Sequence, residues 1–233
     1  DRRQRQMCIR DRSRVLPILF NTEMVRAILD GRKTVTRRIC KEGNDYTVPD
    51  MSFYDADKRT YAVHNYANTE HTDKMSIVER KCPICPGDIL YVRETWQYLY
   101  ELDRNEQIIE GTGRYYYKAT DELPFSTYVD SRGITHENIP WHPSIHMPKE
   151  AARIWLKVTD VRVERLQEIT DTGAEREGAQ PQNPFEYDVN KYPNKENFKK
   201  IWDSTIKKAD LDRYGWAPNP WVWVISFERC EKP

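Results

Sequence analysis

No stretch of this 233-residue chain approaches the ~20 consecutive apolar residues that a membrane-spanning helix needs. Its first residues also lack the apolar core of a signal peptide. Both absences lead us to expect a cytoplasmic protein with no membrane partner. Charge of one sign is missing as well: 37 Lys and Arg balance 37 Asp and Glu. There is therefore no global basic field to drive tight, salt-sensitive binding to long duplex nucleic acid, and any nucleic-acid role has to be local. Cysteine is sparse and odd in number, with five residues (Cys8, Cys40, Cys82, Cys85 and Cys230) scattered along a chain too long to need staples. Reduced thiols are the expectation. Cys82-Pro-Ile-Cys85 has half the spacing of a zinc site, but no second Cys or His pair completes it, and His64 and His71 are too loosely placed. No metal and no cofactor are expected. Walker A, G-x-G-x-x-G and G-x-S-x-G patterns are absent, which leaves nucleoside triphosphatase, dinucleotide and serine-hydrolase chemistries unsupported.

What is present suits a folded chain: 38% hydrophobic, 12% aromatic and 32% charged residues argue against wholesale disorder. The length fits one domain with insertions better than two domains. Residues 1–14 carry six Arg against two Asp with no apolar periodicity, cap or turn signal. They read as a disordered basic arm or a gene-model artefact, with a nucleic-acid tail as the alternative. The fold signal starts at Val15, so the domain is placed at residues 15–233.

An apolar run at 15–20 ends at Asn21-Thr22, either of which can cap a helix carrying Met24, Val25, Ile28 and Leu29 and stopped by Asp30-Gly31. Residues 34–40 alternate and are β-branched, predicting a strand. Residues 41–80 are polar without a sustained period and read as an inserted loop. The Pro86-Gly87-Asp88 turn leads into a strand from Ile89, and Tyr115 to Ala119 is another strand candidate. A second excursion covers about 99–140, and repeated prolines make 121–148 an ordered loop at best. Residues 152–166 alternate in two phases around Thr159-Asp160, predicting a long bent strand. Thr170 caps a short helix through Glu177 closed by Gly178, a helix follows at 197–207, and WVWVISFE ends the fold as a buried strand. The order predicts an α+β protein built on a small mixed β-barrel with flanking helices and two inserted excursions.

The octet Gly31-Arg32-Lys33-Thr34-Val35-Thr36-Arg37-Arg38 is the most informative segment, because a helix stop delivers one Lys, two Thr and three Arg into a single turn and strand. Read plainly, it is a glycine cap before a solvated basic edge strand, where Lys and Arg discourage strand addition. It also resembles the G-x-K-x-x-[E/T]-x-R signature of the ASCH domain, a PUA-like β-barrel. PGDILYVRETW at 86–96, the bent strand followed by LQEITDTGAEREG at 166–178, and FKKIWDSTI followed by WVWVISFE agree in order. The likeness is greatest to longer, phage- and prophage-associated members, which share NTEMVRAILDGRKTxTRR and PSIHMP.

That resemblance implies a pocket for a nucleobase or nucleotide and, as in some smaller relatives, amide hydrolysis of N4-acetylcytidine. In this sequence Lys33 and Thr36 then match the activating Lys and the nucleophilic Thr, and Glu177 matches the acid or base. The chemistry is coherent, since a Thr hydroxyl is a poor nucleophile until a neighbour takes its proton. A Lys does so only when burial or nearby cations lower its pKa, and Arg32, Arg37 and Arg38 are such cations. Lys33 and Thr36 differ by an odd number, so Lys33 must lie in the turn, outside the pleat; Thr34 is the fallback nucleophile. Glu177 also reads simply as a helix-surface carboxylate.

On the binding side the resemblance implies Gly31, Arg37 and Arg38 together with Ser144, His146 and Met147 of the PSIHMP segment. A lone His in an ordered loop is more often structural. Arg93-Glu94 either orients the site or pairs with itself, the pair being the simpler expectation. Trp96, Trp155, Trp221 and Trp223 fit base stacking or, more commonly, core packing, with Trp221 and Trp223 on one strand face. Two expectations result: recognition of a nucleoside or of single-stranded or structured RNA, and an amidohydrolase using Lys33, Thr36 and Glu177. The oligomeric state is left open.

Overall fold

The computed structural model describes residues 13–41, 49–55, 60–65, 76–81, 83–105, 107–124, 127–129, 132–179 and 193–233. The protein is α+β. Its described strands are β1 (Val15–Leu19), β2 (Val35–Ile39), β3 (Pro49–Asp55), β4 (Thr60–Asn65), β5 (Ser76–Lys81), β6 (Ile89–Arg93), β7 (Trp96–Leu99), β8 (Arg114–Tyr117), β9 (Tyr128–Val129), β10 (Thr135–His136), β11 (Trp155–Arg165) and β12 (Trp221–Cys230); its helices are α1 (Thr22–Leu29), α2 (Asp171–Arg176), α3 (Pro193–Thr205) and α4 (Leu211–Tyr214). The largest sheet has five strands in the order β1-β6-β11-β12-β2. The order is open, with β1 and β2 at the edges, and no closed barrel is found among the described residues. No described helix is long and apolar enough to cross a membrane.

Residues 41–80 hold more order than the expected loop. β3, β4 and β5 form a three-stranded antiparallel sheet with Tyr54 opposite Tyr61 and Val63 opposite Val78. A register irregularity between Asp50 and Phe53 breaks the alternation there, which hides the strand from a period-2 reading. The second excursion contains β8, paired with β7, and the short β9–β10 ladder.

Where one domain is expected, the described chain divides into two compact units. The first takes the segment ending at Val15 with Arg32–Ile89 and Lys157–Glu228, and the second takes Leu16–Gly31, Leu90–Leu156 and Arg229–Pro233. The chain passes between them several times, so no linker marks a boundary in the sequence.

In the first unit β12 pairs antiparallel with β2, setting Trp223 opposite Arg38, Val224 opposite Arg37 and Ile225 opposite Thr36. Val35, Val222 and Val224 pack one face of this ladder against Leu166, Ile169, Ala174, Phe198 and Trp202. Phe198 and Trp202 are four residues apart on α3 and share a stripe. Burying side chains of this size contributes about 1.5–3 kcal/mol each. Thr170 caps α2, its hydroxyl accepting from Gly173 N at 2.9 Å. Asp171 then caps the first turn of α3 by accepting from the backbone of Asn194 and Lys195, both at 3.0 Å.

Residues 1–12 of the expected arm lie outside the described residues, but Arg14 belongs to the body of the first unit. Its guanidinium reaches Asp88 Oδ2 at 2.6 Å, and its Nη2 also donates to Pro83 O at 3.3 Å. Asp88 is fully buried and accepts from Cys85 N at 2.9 Å as well. A passive arm therefore ends before Arg14, because a buried carboxylate requires a counter-charge.

The second unit holds α1, capped by Asn21 Oδ1 accepting from Met24 N at 2.8 Å and ended by Gly31 in the left-handed region at φ +75°. Its β7–β8 hairpin carries Trp96, Tyr98 and Tyr115 in ring contact, with Tyr98 and Tyr115 centroids 4.7 Å apart. Arg93 and Glu94 do not pair with each other, because neighbours on a strand point to opposite sides. Arg93 Nε donates to Met147 O at 2.8 Å, whereas Glu94, 1% exposed, accepts from Arg153 at 2.9 and 3.0 Å. Arg153 also lies 3.9 Å over the Tyr117 ring, whose hydroxyl is pushed up to about 12, chiefly by burial.

The Arg14 anchor sets a stability expectation. Arg14→Ala removes the guanidinium from the Asp88 carboxylate and, with Arg14 itself partly exposed, should lower unfolding free energy by about 1–3 kcal/mol. Adding Asp88→Asn should recover part of the loss by removing the stranded charge. Urea unfolding of the three proteins checks this, and an Arg14→Ala variant as stable as wild type would leave the anchor without energetic weight.

Candidate functional site

The signature octet meets α2 in the first unit. β2 begins at Val35, so Lys33 lies in the connection before it, outside the pleat as the odd spacing requires. Two backbone bonds pin that connection: Thr34 N donates to Arg176 O, and Phe227 N donates to Thr34 O, each at 2.9 Å. Glu177 is the C-cap of α2, with Gly178 in the left-handed region at φ +85° directly after it. A carboxylate at a helix C-terminus faces the negative end of the helix dipole and needs cations to hold it.

Lys33 and Arg37 supply them. Lys33 Nζ donates to Glu177 Oε2 at 2.6 Å and to the carbonyls of Glu177 and Val35, each at 2.9 Å. One ammonium thus pairs with the carboxylate and satisfies a helix-end carbonyl. Arg37 Nη1 donates to Glu177 Oε1 at 3.2 Å, and its Nη2 donates to Glu164 Oε2 at 3.2 Å. The three side chains are sealed, with 0% exposure for Lys33, 3% for Arg37 and 5% for Glu177. Glu164 also accepts from Arg162 Nε, and Arg162 Nη1 reaches Asp160 Oδ2 at 3.2 Å. Alternating charges run from the buried Lys33 to the surface.

Burial pulls the Lys33 ammonium below its ordinary pKa; Glu177 opposes this, while Arg38 and Arg37 add to it. Burial also lowers Arg38, again with Glu177 opposing. Glu177 is therefore the shared counter-ion of Lys33, Arg37 and Arg38.

Strand parity divides the octet between two faces of the β2–β12 ladder. Val35 and Arg37 lie with Val222 and Val224, and Thr36 and Arg38 lie with Trp223 and Ile225. On the Arg38 face a cavity of about 240 Å³ is lined by Arg38, Lys41 and otherwise the apolar Ile39, Pro83, Ile84, Val161, Trp223 and Ile225. On the Arg37 face a polar cavity of about 210 Å³ is lined by Arg37, Arg162, Arg176, Glu164 and Glu168, with the hydroxyls of Thr170, Thr172 and Ser226. Thr36 is 2% exposed and lines neither cavity.

The expected site residues are thus distributed. Lys33 and Glu177 meet directly. Thr36 sits on the cavity face, opposite Ile225. Arg38 lines the apolar cavity, whereas Arg37 is tied to the buried Glu177 and the partly exposed Glu164 on the other face. Gly31, Ser144, His146 and Met147 belong to the second unit. There Met147 is fully buried and its Sδ accepts from Glu94 N at 3.1 Å, while His146 is exposed. Among the described residues no group of three or more His, Cys, Asp or Glu is placed to hold a metal ion. Cys82 and His71 lie outside the described residues.

Sequence reasoning missed Glu164, Arg162, Lys41 and Ile84. The first two carried a signal: Asp160, Arg162 and Glu164 alternate in sign at every second position of β11, the pattern of an ion-paired strand face. Lys41 and Ile84 carried none, since the cavity joins segments some forty residues apart. Comparison of the chain with protein-family models, with curated proteins and with solved structures returns no match.

The buried pair should be energetically coupled. Lys33→Met and Glu177→Gln should each cost about 3–5 kcal/mol by stranding a charge, and the double variant should be about 1–3 kcal/mol more stable than the sum of the two losses implies. Additive losses would deny the coupling. The lowered Lys33 pKa also fixes a sign. Between that value and the ordinary lysine pKa near ~10.4, the unfolded chain binds a proton the folded chain has released. Wild-type stability relative to Lys33→Met should therefore rise with pH in that window. Denaturant unfolding of both proteins across that window measures the difference.

Proposed function

We propose that the chain is a PUA-like protein of the ASCH type that recognises a nucleobase, as nucleoside, nucleotide or short RNA, in the cavity on the Arg38 face. The observation that carries this reading is the cavity's make-up. Its walls are apolar, with the largely buried Trp223 contributing to them, and its two charged residues among those described, Arg38 and Lys41, are both cations. It lies against the strand that bears the G-x-K-x-x-T-x-R motif, and Arg38, the last residue of that motif, lines it. A guanidinium presents a fixed fork of donors suited to the acceptor edge of a base. The fold that accompanies this reading is a PUA-like barrel, and the five-stranded sheet is the feature that supports it.

Calorimetric titration with a panel of nucleosides and short single-stranded RNAs tests it. Binding is expected, and Arg38→Gln should weaken it about ten-fold or more, the effect of about 1.4 kcal/mol. No binding to any member of the panel would end this reading.

A second reading is favoured by the buried Lys33–Glu177 contact and the lowered Lys33 pKa: deacylation of N4-acetylcytidine-type nucleosides. The Thr36 hydroxyl attacks the acyl carbonyl as neutral Lys33 takes its proton. The amide C–N bond then breaks as the proton taken up by Lys33 is passed, by way of the Glu177 carboxylate, to the leaving amine, and water releases the acyl group from Thr36. Incubation with N4-acetylcytidine should give free cytidine with wild type and none above background with Thr36→Ala. Equal product from both proteins would exclude the triad.

A further inference from the structure

Among the described residues the lining of the Arg38-face cavity has no carboxylate and no hydroxyl, and its two charged residues stand at different depths. Arg38 is partly buried, while Lys41 is exposed at the rim and has no ion pair with any described residue. Arg37 is tied to Glu177 and Glu164 on the other face of the ladder, so the field inside the cavity comes from Arg38 and Lys41. At about 240 Å³ the cavity is also smaller than the roughly 300–1,000 Å³ of sites that enclose drug-sized ligands. It has room for a planar base but leaves further groups of the ligand outside, where Lys41 is.

Resting on the base-recognition reading, we propose that this site selects phosphorylated over unphosphorylated nucleosides. The base sits against Trp223 with its edge toward Arg38, and the phosphate is held at the mouth by Lys41. An ammonium on a flexible stem suits this task, because a phosphate outside the cavity needs a point charge rather than a fixed fork. The two cations of the lining favour the dianion over the neutral nucleoside before any contact forms.

The test is calorimetric titration of the full chain at low salt with matched nucleosides and their 5′-monophosphates, with inorganic phosphate as a separate ligand. The monophosphate is expected to bind about ten-fold or more tighter than its nucleoside, and this advantage should shrink as salt is raised. Lys41→Gln should bring monophosphate affinity down to that of the nucleoside, and Lys41→Arg should retain most of the preference. Inorganic phosphate should show no comparable affinity, since it lacks the base. Nucleoside and monophosphate binding equally, or a preference that survives Lys41→Gln, would overturn the phosphate assignment while leaving base recognition standing. Tight binding of inorganic phosphate alone would replace it with a simple anion site. Failure of both nucleoside and monophosphate to bind would overturn base recognition and this inference with it.

Discussion

One carboxylate organises the first unit. Glu177 sits where a helix end disfavours negative charge, and the signature octet sends buried cations to it from the next strand. The arrangement is mutually dependent: without Glu177, Lys33 and Arg37 are charges sealed from water, and without them Glu177 is a sealed anion beside unpaired carbonyls. Sequence positions 144 and 140 residues apart are thereby joined, and the same bonds fix the turn before β2. Lys33 takes part in that turn directly, through the carbonyls of Val35 and Glu177.

Strand parity is the second constraint. Arg37 and Arg38 are adjacent, so β2 sends them to opposite faces, and their environments diverge completely. Arg37 becomes an internal tie between Glu177 and Glu164, with its guanidinium 5.9 Å from the Phe198 ring centroid. Arg38 becomes the polar element of an apolar cavity. A count of basic residues in the octet overstates what is open to a ligand.

Much of the fold was legible because it depends on local chemistry. The Asn21 and Thr170 caps, the stops at Gly31 and Gly178, and the phase change of β11 at Thr159-Asp160 are short-range signals, and each lies where the residues indicate. β2 is an edge strand, as the plain reading of its basic residues has it, although Arg37 is buried within it. The three-stranded β3–β5 sheet was hidden by its register irregularity and polar composition. The division into two units was hidden because both are assembled from separated segments. Of the candidate site, the Lys33–Glu177 meeting was reached only through family resemblance; spacing alone left Glu177 as a surface carboxylate. The ties to Glu164 and the Ile84 and Lys41 walls depend on tertiary closure, which periodicity does not encode.

The Lys33 environment also bears on what the binding and hydrolysis proposals each require. Three acceptors surround Nζ, matching the three N–H donors of an ammonium. A general base instead needs a neutral amine with a lone pair toward its proton donor. Burial, Arg37 and Arg38 push Lys33 toward the neutral form, and Glu177 at 2.6 Å pushes it back. An anionic nucleotide on the Arg38 face, as proposed, would offset the cations, favour the ammonium and leave the Lys33–Glu177 contact intact. A neutral acylated nucleoside leaves the cationic repulsion in place and the amine easier to deprotonate. Phosphate recognition on the Arg38 face and Lys-assisted deacylation would therefore pull Lys33 in opposite directions, and the two proposals separate by the charge of the ligand each requires.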